Sequence, residues 1–142
     1  MGFNDVLQDL VNSSDEEKLG IAFEAYKNLK PALIILDPRN NGLFLTSAIF
    51  GVAIAQDGNL NSAEAAMMSA FLMTEGINAS MDEITEMCVK SADPEIYTLV
   101  RDLAQALPVS ARSDLITLVA AICSIDDRIS RDELRFLNDL MD

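Results

Sequence analysis

Histidine and tryptophan are absent from this 142-residue chain, and cysteine occurs only twice. Without histidine, the side chain that most often carries acid–base chemistry near neutral pH is missing. A catalytic base would have to be a carboxylate or a lysine, and no nucleophile stands at a recognisable spacing from either. Ser13, Ser14, Ser110 and Ser113 read as caps and turns, so the chain reads as non-enzymatic. Cys88 and Cys123 form no CxxC pair, and each lies in an apolar helical run. They read as buried, reduced, structural thiols, which places the protein in the cytoplasm.

Positive charge is also scarce. Ten Lys and Arg stand against 23 Asp and Glu, for a net charge of −13, and no basic cluster exists. That excludes a protein that tracks phosphates along nucleic acid. It equally excludes docking on an anionic membrane surface. The longest apolar run, "LFLTSAIFGVAIA", has 13 residues, too few to cross a bilayer. The opening "MGFNDVLQDL" has no basic n-region and no Ser or Thr at position 6, so neither a signal peptide nor myristoylation is expected. An acidic protein of this kind favours cations or a basic partner.

What is present is helix punctuation. Half of the residues are apolar, enough for a real core in a single domain spanning 1–142. Ser14 with Glu17 and Ser80 with Glu83 are capping boxes, in which the glutamate reaches back to the backbone amide of the cap. Asn61 with Glu64 and Ser130 with Glu133 are two more, and Asp93-Pro94 sets an N-cap before a first-turn proline. "DPRNNG", Gly58, Gly76 and Pro108 supply stops. No alternating run long enough for a half-buried strand occurs.

The expectation is an all-α domain, a compact bundle of seven or eight short helices. They fall near 3–11, 14–29, 43–56, 62–74, 81–90, 94–106, 111–125 and 131–141. "ALIIL", between Pro31 and Pro38, is expected to form a separate helical turn at 31–36, with a short strand as the alternative for an apolar run of this length. The 43–56 and 111–125 segments are apolar nearly all round and belong at the centre of the bundle. Phe50, Ile54, Leu118 and Ile122 are the expected core residues there.

Sliding the chain by 69 residues lays 47–73 on 116–142 without a gap. The apolar patterns match, and the two identical positions are Asp57 with Asp126 and Glu64 with Glu133. A pseudo-repeated helical hairpin follows from that pattern. Capping accounts for Glu64 and Glu133. Local structure accounts less well for Asp57 and Asp126, which meet the negative end of the preceding helix dipole; an Asx-turn to backbone amides is one compensation, and a cation is a better one. A divalent cation, calcium or magnesium, would offset that placement, with Asp57, Glu64, Asp126 and Glu133 as ligands. Ala53 and Ala55 stand where an EF-hand needs ligands, so this is no EF-hand.

"AQDGNLNSAEAAMM" carries small-x-Asp-Gly-x-Leu-x-x-x-Glu between two helices, and in this it resembles the TerB-like family associated with tellurite resistance. "SIDDRISRDELRFL" resembles a second, degenerate copy, with Asp127 in place of the glycine and Arg128 and Arg131 close by. The resemblance implies an all-helical bacterial stress-response module with an acidic metal site at the same four residues. A second reading needs no metal. Between Asn40 and Val89 there are six carboxylates and no Lys or Arg, an acidic face suited to a basic protein partner. In either reading the protein is a monomer or weak homodimer.

Overall fold

The computed structural model describes residues 3–56, 62–91, 93–125 and 129–141. Among these residues there are eight α-helices and no strand: α1 Phe3–Asn12, α2 Asp15–Leu36, α3 Leu43–Ala55, α4 Ser62–Thr74, α5 Met81–Ser91, α6 Pro94–Ala106, α7 Val109–Cys123 and α8 Arg131–Met141. A 3₁₀ turn at Pro38–Asn40 joins α2 to α3. The chain is an all-α bundle. No helix among the described residues is long and apolar enough to cross a membrane.

The caps act where the sequence places them. Ser14 Oγ accepts the Glu17 amide at 3.1 Å and opens α2. Ser80 and Glu83 exchange amide hydrogen bonds at 3.2 Å in both directions. Asp93 accepts the Glu95 amide at 2.9 Å, with Pro94 at the first position of α6. Gly76, at φ +77°, closes α4 in the left-handed region, and the Ile77 amide then reaches back to the Leu72 carbonyl.

One boundary differs from the sequence expectation by more than two residues. The separate turn at 31–36 does not exist, because α2 runs through Pro31 without a break. A proline inside a helix leaves the carbonyl four residues back without its donor. Here that residue is Lys27, and both Lys27 and Pro31 face solvent. Water can therefore take the freed carbonyl, while Leu29 and Leu33 on the opposite face anchor the helix in the core.

The expected centre holds. α3 and α7 pack on each other, and Phe50, Ile54, Leu118 and Ile122 are all buried. α2 lies along α7, α5 and α6 cover α3, and α8 closes the bundle against α6 and α7. Phe71 of α4 ties three helices together. It stacks on Phe23 at 4.2 Å between ring centroids, meets Tyr26 edge-on at 5.2 Å, and packs on Phe50 at 4.7 Å.

Because three rings lean on Phe71, Phe71→Ala removes both buried area and aromatic contacts. We expect a loss of about 3–5 kcal/mol in urea unfolding. Ile35→Ala, at a residue 77% exposed, should change stability by no more than about 0.5 kcal/mol. Equal losses for the two variants would contradict the assigned core.

Candidate functional site

Glu64 and Glu133 each occupy the third position of the second helix in a hairpin, α4 and α8. Glu133 completes its capping box: Oε1 accepts the Ser130 amide at 2.8 Å, and Ser130 Oγ accepts the Glu133 amide at 3.1 Å. Glu17 and Glu83 sit at the same helix position and lie in solvent. The hairpin glutamates do not. Glu64 is 2% exposed and Glu133 is 1% exposed. Capping alone does not require that, since an exposed glutamate caps equally well without the cost of desolvation.

Glu64 acts on its surroundings through charge. Burial, with the Glu64 carboxylate behind it, pushes the Cys88 thiol of α5 up to about 11. At neutral pH Cys88 is therefore a protonated thiol and a poor nucleophile. Cys123 is also buried and is not in a disulfide, in keeping with the structural role expected for both cysteines.

Asp57, Asp126 and the Asn61 cap of Glu64 lie outside the described residues. Of the four expected ligands, the structure therefore describes two, one in each hairpin. Among the described residues, no three His, Cys, Asp or Glu side chains group as a metal site.

The sequence reading missed Lys18. This lysine of α2 is fully buried, and among the described residues it is the one buried cation. Lys18, Glu64 and Glu133 each make a polar or electrostatic contact. The signal for Lys18 was present in the spacing, because 18, 22, 25, 29 and 33 form one helical stripe with Ala22, Ala25, Leu29 and Leu33.

The acidic face is also smaller than the composition suggests. Asp82, Glu83 and Glu86 on α5 are exposed, but Glu75 turns inward. Lys30 Nζ donates to Glu75 Oε2 at 2.7 Å, and the Tyr26 hydroxyl donates to Oε1 at 2.9 Å. Burial alone pushes the Glu75 carboxyl up. The two hydrogen bonds and the Lys30 charge outweigh it and hold the group below the ordinary carboxylate range. Burial, reinforced by Glu75, pushes Tyr26 up to about 12, against a smaller opposing effect of its Thr46 bond. A second tyrosine contact, Tyr97 to Asp139, ties α6 to α8.

Comparisons of the chain with protein-family models, curated proteins and solved structures return no match.

The Glu75 bonds set a pH dependence. A carboxyl held low in the folded state stabilises the fold above its unfolded value, and that stability is lost as pH falls through the folded value. Glu75→Gln should cost about 1–3 kcal/mol at pH 7. The gap from wild type should begin to narrow at the ordinary Glu value of about 4.3 and close only as pH falls through the lower folded-state value. Urea unfolding at several pH values checks this; a gap that stays constant into acid would contradict the ion pair.

Proposed function

We propose that the chain is a non-catalytic, cytoplasmic binding module of the TerB type whose two acidic hairpins take a hard divalent cation, calcium or magnesium. The observation that carries this reading is the burial of Glu64 and Glu133 at the same helix position in both hairpins, while Glu17 and Glu83 cap from solvent. A buried carboxylate is retained only where something positive compensates it. Among the described residues Lys18 is the one buried positive charge and Glu64 and Glu133 are the two buried negative ones, each with a contact of its own. A cation at the hairpins would add to that compensation.

The donors fit the metal class. Carboxylate oxygens are hard ligands, and with neither histidine nor an ionised thiol the set favours calcium or magnesium over zinc. Glu64 and Glu133 would hold the ion, with Asp57 and Asp126 supplying the further oxygens a hard cation needs. The ion's role would be to fasten the start of α4 and α8, since binding to the folded state alone stabilises it.

One observation favours a second reading. Asp82, Glu83 and Glu86 stand exposed together on α5, and a basic protein partner could dock there without metal. Such binding would weaken with salt, because screening acts within about 10 Å at 0.1 M.

Melting the protein with and without cation separates the readings. At about a hundred times its dissociation constant, the ion should add about 2.7 kcal/mol. For a domain of this size that is roughly 5–11 °C in Tm. Glu64→Gln keeps a capping side chain but removes its charge, and should abolish most of the shift. Glu133→Gln should do the same if the hairpins share one ion. No shift in the wild type at millimolar calcium or magnesium would end the metal reading and leave the α5 surface.

A further inference from the structure

The outer side of α3 carries a feature that neither the acidic hairpins nor the α5 surface uses. A cavity of about 760 Å³ opens where the 3₁₀ turn, α3, α5 and α6 meet. Its walls include Leu43, Phe44 and Ala48 of α3, Met87 of α5 and Ile96 of α6. Phe44 is 51% exposed there, although α3 is otherwise the most buried helix of the bundle. The volume lies within the roughly 300–1,000 Å³ range of small-molecule sites, which pair apolar walls with a few placed polar groups.

The polar groups here have one sign. Among the described residues, the charged ones lining the cavity are Arg39 and Lys90, and no carboxylate lines it. In a chain with ten basic and 23 acidic residues that is a local reversal of charge. These two cations also bracket the long stretch without Lys or Arg, so the fold brings its two ends to one groove. Arg39 has no ion-pair partner among the described residues. Lys90 pairs with Glu86 at 3.3 Å, but both side chains are largely exposed, and such a pair is readily exchanged. Asn40, Asn41 and Ser47 add neutral hydrogen-bonding groups around the same opening. Asp37 Oδ2 accepts the Phe44 amide at 3.2 Å, so a carboxylate already answers the positive end of the α3 dipole and the field in the groove is that of Arg39 and Lys90.

We propose that this groove binds a single-chain amphiphile with an anionic head, a fatty-acid carboxylate. The hydrocarbon chain lies against Phe44, Met87 and Ile96, and the carboxylate meets Arg39 and Lys90. An acidic amphipathic helix presents similar chemistry. However, a peptide helix needs anchors over two turns, and a protein interface engages about 20–30 residues a side. Ten of the described residues line this cavity. The proposal rests on none of Lys18, Glu64 or Glu133 and stands or falls apart from the cation reading.

Titration calorimetry of the full chain with sodium dodecanoate, below its micelle concentration, tests it. Saturable binding at one per chain is expected, with no binding of acetate, which lacks the chain. Arg39→Gln and Lys90→Gln should each weaken dodecanoate about tenfold, the worth of one charge-assisted hydrogen bond. Ser47→Trp should fill the groove and abolish binding. Should that variant fail to fold, Phe44→Asp, at an exposed position, sets a negative charge against the ligand and should abolish binding by repulsion. The proposal is overturned if dodecanoate does not bind, or if dodecyltrimethylammonium binds as tightly. It is equally overturned if the two glutamine variants keep wild-type affinity, or if a synthetic acidic amphipathic peptide binds the groove and dodecanoate does not.

Discussion

Moving a charge from water into a protein interior costs several kcal/mol even after relaxation, and this bundle does so at Lys18, Glu64 and Glu133. Much of the architecture can be understood from what those burials require. Glu64 and Glu133 are fixed by their place in the first turn of α4 and α8. For Glu133 the Ser130 amide supplies one of its hydrogen bonds at 2.8 Å. Lys18 is fixed by the stripe of α2 that faces α7. Shifting α2 by one residue would set Glu17 in the place of Lys18, so the charges also define how the helices register.

Apolar packing then holds these positions rigid. α3 and α7 form the centre, and Phe71 draws α2, α3 and α4 together through three ring contacts. At the far end of α4, Tyr26, Thr46, Lys30 and Glu75 form a polar cluster in which the charged partners satisfy each other. The contrast is instructive. Glu75 has its cation on the same cluster; among the described residues Lys18 is the one buried ammonium, and Glu64 and Glu133 are the two buried carboxylates. Their burial, set against the solvent-exposed Glu17 and Glu83, is what marks the hairpins as candidates.

Helix positions were legible because punctuation and periodicity act locally. Ser80–Glu83, Asp93-Pro94 and Gly76 each mark a boundary through bonds to their own neighbours. Pro31 misled because its effect depends on which face it occupies; on the solvent side, water takes the freed carbonyl and α2 continues. The candidate site was legible only in part. Spacing identified Glu64 and Glu133 as helix caps but could not reveal their depth, since Glu17 and Glu83 have the same pattern and lie in solvent. Lys18 was visible as a member of the α2 stripe, yet lysines usually extend to water from such positions. The groove at Phe44 could not be read at all. It forms where residues from the 3₁₀ turn, α3, α5 and α6 converge, and no local pattern encodes that meeting.

The central claim is that the buried ammonium of Lys18 offsets the buried carboxylates of the hairpins. Urea unfolding in metal-free buffer tests it most directly, with Lys18→Met measured alone and in combination with Glu64→Gln or Glu133→Gln. Removing the ammonium leaves buried negative charge without its counterweight and should cost about 3–5 kcal/mol. Neutralising a glutamate in the same chain should then recover a substantial part of that loss, a coupling well beyond the roughly 0.5 kcal/mol seen between independent sites. A Lys18→Met protein as stable as wild type, or losses that simply add in both double variants, would contradict the account.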